Sequence, residues 1–400
     1  MPDGDESGRL RPGGGTARTA RGVLLAVLVV TAGVVAGCGA LGGDDGTPTP
    51  TPAPDAEDSL EANLSASPTT VMQRVESLVG AELQAYPGVR VGTVQSQNVS
   101  RPFFGQVVGP PEDRSTLERR PVATFDGQTI TVDREHVAAG EGAVIEAELA
   151  YYAMGLLGQE HGWTGGTDRP HGGAILRQSY RYVVNAYAEQ HRPEAVDRPV
   201  PYGESGASDY EWAREDAVEY YAYQWVTGQV DSPADVPDLL TGKSPPSDEH
   251  FLADDADEPM ALGISLNTSS RYRAAQQRAT TQGAVTTQAV LRTGLDEATA
   301  RQAAEGWGQD RYAVVRSTDG NATGVAWVHR WDSAEDADEF EDAMGTYLDQ
   351  RRQETDDLRF EFRRLDTDTT VVVTGPPSFV DATNVSYGSG NVTVGVGTDP

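Results

Sequence analysis

The chain is poor in cysteine, lysine and asparagine: its 400 residues hold one, one and seven of them. A single cysteine excludes an intrachain disulfide and any thiolate zinc finger. Lys243 is the sole lysine among 31 basic residues, which face 61 acidic ones for a net charge of -30. Phosphate backbones are held by clustered Lys and Arg, so no nucleic-acid partner is expected. There is no Gly-x-Ser-x-Gly elbow, no P-loop and no dinucleotide fingerprint following a strand. What remains is a polar chain, 38% hydrophobic and 7% aromatic, with room for two or three domains. An acid-rich, lysine-poor surface is the composition of extreme halophiles. In molar salt, screening shortens self-repulsion to a few ångströms while carboxylates keep their hydration.

The first residues read as an address. Arg9, Arg11, Arg18 and Arg21 precede an apolar run from Gly22 to Gly37, the length of a signal-peptide core and short for a spanning helix. The run ends Val35-Ala36-Gly37-Cys38, which resembles the lipobox of bacterial and archaeal lipoproteins. That resemblance implies cleavage before Cys38, a lipid on its thiol, and membrane lipid as the first partner. Arg18 and Arg21 are separated, which leaves open whether export follows a twin-Arg route. An uncleaved N-terminal anchor is the alternative, and it also places the remainder outside the membrane. Residues 39–66 follow as an expected flexible stalk, built around Thr-Pro-Thr-Pro-Thr-Pro-Ala-Pro.

Six of the seven asparagines open an Asn-x-Ser/Thr sequon: Asn63, Asn98, Asn267, Asn321, Asn384 and Asn391. About one would be expected by chance, so the enrichment points to glycosylated surface positions of an exported protein. The expected location is the outer face of the cytoplasmic membrane.

Residues 67–240 are expected to form a mainly helical domain. Val71, Val75, Leu78, Val79 and Leu83 recur at helical spacing between Pro68 and Tyr86. Two short apolar runs flank Asp126-Gly127, a hairpin signal. Helical patterns follow over Gly142–Gln159, Ile175–Glu189 and Trp212–Thr227, and residues 241–262 read as a linker.

A hairpin leading into a buried helix resembles the layout of zincin metallopeptidases. The helix Val144-Ile145-Glu146-Ala147-Glu148-Leu149-Ala150-Tyr151 looks like their His-Glu-x-x-His helix, with Ala147 and Tyr151 where the histidines stand. Glu148 keeps the general-base position. Ala213-Arg214-Glu215-Asp216-Ala217 looks like a worn version of the helix that supplies the third ligand. Two histidines at i and i+4 can share one tetrahedral zinc; alanine offers no lone pair and a neutral phenol is a poor ligand. With no metal to acidify water, Glu148 has none to deprotonate, and the expectation is a site without catalysis, metal or cofactor. The bland alternative is an ordinary helix containing a Glu-Leu pair.

Two other metal arrangements are open to this chain. His161, His171 and Glu148 could converge around zinc in a rearranged site. Glu211, Glu215 and Glu219 share a helical face and could bind a hard cation, though a solvated acidic face is the ordinary reading. His136, His191, His250 and His329 have no partner histidine at i+4.

From Ala284 onward the pattern gives a helix pair and then a ββαββ unit. Its strands lie near Trp307–Val315, Gly324–Arg330, Arg359–Arg364 and Thr370–Thr374, with a helix from Ala334 to about Arg351. The strings Ala303-Ala304-Glu305-Gly306-Trp307-Gly308, Trp331-Asp332-Ser333 and Asp336-Ala337-x-Glu339-Phe340 resemble the C-terminal part of zincin-like surface lipoproteins from haloarchaea and some bacteria. Trp307 and Asp310 read first as structural rather than ligand-binding residues, Trp307 packing a helix-to-strand corner, and Asp332 or Ser333 reads as a helix cap.

The sequence therefore predicts an α+β protein. A helical zincin-like body with a preceding hairpin covers 67–240, an α+β domain covers 263–376, and a Gly/Ser/Thr-rich tail covers 377–400, after a signal peptide at 1–38. The expected role is a lipid-anchored halophile surface protein that binds a peptide, glycan or envelope partner without catalysis. A zinc metallopeptidase with a rearranged site and a structural envelope protein are the rivals.

Overall fold

A computed structural model describes residues 56–110, 118–163, 165–166, 171–204, 206–253, 256–276, 279–388 and 390–398. The expected signal segment, Cys38 and most of the expected stalk lie outside these residues. None of the described helices is long and apolar enough to cross a membrane.

The fold is α+β. The first elements are α1 (Ala56–Asn63) and α2 (Pro68–Val79). The expected stalk thus stops short of 66: Leu60 is buried and α1 packs on the domain behind it. α2 is capped by Ser67, whose side chain accepts from the Thr70 amide, and it ends at Gly80 in the left-handed region (φ 69°).

Then come β1 (Gly88–Gly92), β2 (Gln97–Asn98), α3 (Pro102–Val107), β3 (Glu118–Arg119), β4 (Ala123–Phe125) and β5 (Thr129–Asp133). The hairpin signal holds: β4 and β5 pair antiparallel around Asp126-Gly127, and β1 adds parallel to β5. α4 (Arg134–Ala138), α5 (Gly142–His161) and α6 (Gly172–His191) follow, and α5 and α6 are each 20 residues long. α7 (Asp209–Glu211) runs through a π-helical turn, Trp212–Asp216, into α8 (Ala217–Gln229), and α9 (Val236–Thr241) closes the helical part.

The remaining elements are β6 (Gly263–Thr268), β7 (Tyr272–Ala274), α10 (Ala284–Arg292), α11 (Glu297–Gln302), β8 (Trp307–Ser317), β9 (Thr323–Trp331), α12 (Ala334–Glu354), β10 (Arg359–Asp366), β11 (Thr369–Gly375), α13 (Pro377–Asp381), β12 (Thr383–Gly388) and β13 (Asn391–Val396). The ββαββ unit is present, with a fifth strand: the sheet order is β10-β11-β9-β8-β7, antiparallel throughout. Alternation along β9 sorts its faces. Val325, Trp327 and Trp331 pack with Phe340, Met344 and Tyr347 of α12, whereas Ala326 and Val328 face the opposite layer. That layer is a second small sheet, β12-β13-β6.

The domain boundaries differ from expectation in three places. Residues 52–400 form one compact unit rather than two bodies joined by a linker. The physical reason is α3, which leaves the first part and enters the core of the second. Phe103 stacks edge-on against Trp327 with ring centroids 5.1 Å apart, and Tyr347 donates to the Val107 carbonyl (3.2 Å). The expected linker 241–262 is folded in, burying Asp248, Glu249, Phe251 and Leu262. The expected tail builds α13, β12 and β13, with Val392, Val394 and Val396 fully buried.

Candidate functional site

The helix that resembles the zinc-binding helix of zincins is α5. Glu148 is half-buried there, and burial raises its carboxyl above the usual range. Among the described residues its carboxyl group has no hydrogen-bond partner. Tyr151 packs its ring against Tyr180 (5.7 Å, 75°), and burial pushes its hydroxyl up to about 12, so it stands as a neutral phenol. Ala147 brings no donor atom. A zinc ion therefore does not fit this set, which offers one carboxylate where three ligands are needed.

The groups proposed for a rearranged site do not meet. His161 lies thirteen residues beyond Glu148 on the same helix, about 20 Å along its axis. Its Nε2 pairs with the Glu82 carbonyl (3.0 Å), and its ring stacks on Trp163. His171 is buried at the start of α6, with Nε2 on the Pro245 carbonyl (2.7 Å) and its ring against Phe251. His136, the imidazole whose charge reaches Glu148, pairs with Glu141.

The row Glu211, Glu215 and Glu219 is dispersed. Glu211 closes a capping box with Ser208, Glu215 pairs with Arg214 (2.9 Å), and Glu219 accepts two hydrogen bonds from Arg177 (3.0 and 2.8 Å). A π-helical turn over 212–216 precedes α8, and of the three glutamates it is Glu219 whose charge, with that of Glu148, acts on Tyr151. Among the described residues no three His, Cys, Asp or Glu side chains are grouped as metal ligands.

The polar hollow of the molecule is elsewhere. A cleft of about 560 Å³ lies between the end of α8, the turn 248–251 and α11. Gln224, Trp225, Glu249, His250, Phe251 and Arg301 line it. It adjoins a groove of about 750 Å³ between α11 and the first turns of α12, walled by Glu297, Gln302, Glu335, Asp336 and Glu339. Arg301 and Glu305 line both hollows. Five of the groove's eight lining residues are acidic, against 61 of 400 in the chain, so the groove exceeds the general acidity of this protein.

Two buried carboxylates hold the start of α10, and one of them belongs to the turn 248–251 that lines the cleft. Asp248 accepts from the amides of Ala284 (3.0 Å) and Val285 (3.3 Å) at the start of α10. Asp310 accepts from Gln282 (2.9 Å), Gly283 (2.9 Å) and the Trp327 indole (2.8 Å). Gly283 is at φ 99°, and a Cβ there would overlap the Asp248 carboxylate, so only glycine lets the two carboxylates close over the helix start.

Beside Asp248, Glu249 is 6% exposed. Burial, then the neighbouring charges of Asp332 and Asp248, pushes its carboxyl up to about 8. Burial also lowers the His250 imidazole, whose Nδ1 is enclosed without a partner. At neutral pH the floor thus presents a protonated acid and a neutral imidazole below a Trp225–Phe251 ring pair (5.6 Å). A carboxyl group shifted this far in a cleft is a signature of functional sites.

Residues 270–399 match the family model for a domain of unknown function, DUF8575. No curated protein and no solved structure matches the chain. The matched stretch contains α11 and α12, and hence both walls of the acidic groove.

The distinctive C-terminal strings meet at this place. Gly306, at φ 68°, lies against Asp336, where a Cβ would overlap the carboxylate. The Asp332 amide donates to the Gly306 carbonyl (2.9 Å), and Ser333, not Asp332, caps α12. Trp307 is 3% exposed within the core, as its packing reading had it, and Asp310, on strand β8, caps the start of α10. Glu249, His250 and Arg301 are the residues that sequence reasoning missed: none belongs to a motif, and all come from segments read as linker or plain helix.

Asn98, Asn267 and Asn321 are exposed, and Asn384 and Asn391 half-buried. Asn63 is turned inward: its Nδ2 donates to the Val137 carbonyl (3.0 Å) and its own carbonyl accepts from Arg192 (2.9 Å).

Proposed function

We propose that the chain is a lipid-anchored cell-surface protein of a halophile, held at Cys38, that binds a cation-bearing peptide segment without catalysis. The zincin-like resemblance then describes its ancestry rather than its chemistry. The observation that carries the reading is the pair of adjoining hollows along α11, acidic at the groove and neutral at the floor, joined at Arg301 and Glu305. A basic side chain gains contact ion pairs with Glu297, Glu335 or Glu339. Such pairs persist in molar salt because screening acts beyond a few ångströms. The apolar part of the segment is covered by Trp225 and Phe251, and Glu249 and His250 supply hydrogen bonds below.

The test is calorimetric titration of residues 52–400 in molar salt with an arginine-bearing peptide and its glutamine counterpart. The arginine peptide is expected to bind and the neutral one not. Replacing Glu305 and Glu339 together by Gln is expected to weaken binding about tenfold, roughly 1.4 kcal/mol. Equal binding of the neutral peptide, or an unchanged affinity in the double variant, sinks the reading.

A further inference from the structure

The small sheet β12-β13-β6 has one face in the core and one in solvent. Its inward residues are Val392, Val394 and Val396, all fully buried. The outward residues fall in three rows set by the strand register. Asn384, Gly395 and Asn267 stand opposite one another, then Ser386, Thr393 and Ser265, then Gly388, Asn391 and Gly263. In a chain with 61 acidic residues, this face has no charge of either sign.

Its composition is that of three sequons. In a strand, side chains alternate with period two, so Asn-x-Ser/Thr places the amide and the hydroxyl side by side on one face. Ser386 belongs to the Asn384 sequon and Thr393 to that of Asn391, and glycines fill the places beside the asparagines. A Cβ on Gly395 would overlap the Asn384 amide oxygen, and one on Gly263 would overlap that of Asn391. The glycines are therefore what lets these amides lie across the sheet. Asn267 and Asn384 flank Gly395, about 10 Å apart across two strand spacings.

We infer that this face is a glycan platform, with N-linked sugars on Asn267, Asn384 and Asn391 grouped on one uncharged sheet surface. The inference rests on export of the chain. The donor class is a polyprenyl-phosphate-linked oligosaccharide. The asparagine Nδ2 attacks the anomeric carbon and the N–C1 bond forms as the C1–O bond to phosphate breaks. The electron pair leaves on the phosphate, and the Nδ2 proton passes to a base of the transferase. One N–H remains on each amide, enough for the bonds now made by Asn384 to the Thr398 carbonyl (3.1 Å) and by Asn391 to Ser265 (3.2 Å). Asn63, packed between Val137 and Arg192, stays bare.

Peptide mass mapping of the full chain, recovered from the cells that make it, tests this. The three peptides are each expected to carry a glycan mass, and the Asn63 peptide its unmodified mass. Asn267→Gln, Asn384→Gln and Asn391→Gln should each remove one glycan. Ser386→Ala should remove the one on Asn384 while keeping the asparagine. Bare asparagines at all three positions in chain lipidated at Cys38 overturn the inference alone. Bare asparagines together with an unlipidated Cys38 overturn the localisation, and the inference with it.

Discussion

Asp248 and Asp310, 62 positions apart in sequence, cap the same helix start: Asp310 takes the amides of Gln282 and Gly283, and Asp248 the next two. Between them they satisfy the amides of Gly283, Ala284 and Val285, three donors that the helix N-terminus leaves without partners, and that of Gln282 just ahead of it. Burial disfavours ionisation of both carboxyls, and the charge of Asp310 raises Asp248 further.

That pairing sets a pH dependence. Burial, partly offset by the capping amides, pushes Asp248 up to about 7 and Asp310 up to about 6. Both values lie above those of the unfolded chain, so the folded state binds more protons. Stability from this pair is complete below pH 4 and is lost as pH rises through 6 to 7. Melting curves at constant salt should show that decline, and Asp248→Asn should flatten it, since the amide oxygen still caps α10. A slope unchanged by the substitution would contradict the assignment.

His329 acts with the opposite sign. It is fully buried against Trp327, Trp331 and Phe340, both ring nitrogens lack a partner, and burial lowers it to about 3. The unfolded imidazole takes up a proton near pH 6.5 and the folded one does not, so stability falls as pH drops from 6.5 toward 3. His329→Phe should raise stability by about 1–3 kcal/mol at neutral pH, because no unsatisfied polar group is then enclosed. The gain should be larger at pH 5. A variant less stable at both values would show that the imidazole has a partner.

Glu146 ties the first helices to the body. Burial alone would raise its carboxyl, but Ser65, Tyr187 and Arg192 donate to it and hold it below the usual range. Removing one partner of a buried ion pair typically costs about 3–5 kcal/mol. Arg192→Ala should sit at the lower end, since Ser65 and Tyr187 remain, and should expose residues 56–66 to protease. Proteolysis as slow as in the parent chain would refute the tie.

Metal content is the remaining check. Residues 52–400 purified in molar salt without chelators should hold well under one zinc per chain, and added zinc should leave the melting temperature unchanged. Glu148→Gln should melt at or slightly above the parent, because burial disfavours the carboxylate it removes. One tightly held zinc lost with Glu148 would restore the peptidase reading.

Local signals placed most elements. The Asp126-Gly127 turn, the Ser333 cap and the apolar spacing of α2 and α12 depend on residues within a few positions of each other, which is the range at which sequence pattern is legible. Gly142–His161 extends its expected helix by two residues, and Ala284–Arg292 is as expected. The candidate cleft was not legible. Glu249 gains its proton from burial beneath Asp332, and Arg301 its place from the packing of α11 on α12.

By itself the sequence determined composition, charge, the lone Cys38, six sequons and the absence of histidine at Ala147 and Tyr151, all properties of residue identity. The tertiary structure alone decided that α3 joins the two halves through Phe103, that 241–262 is core rather than linker, and that three sequons share one face. These depend on long-range packing and strand register. A strand's two faces are written in its alternation, but which strand lies beside it is settled only when apolar surfaces close on each other.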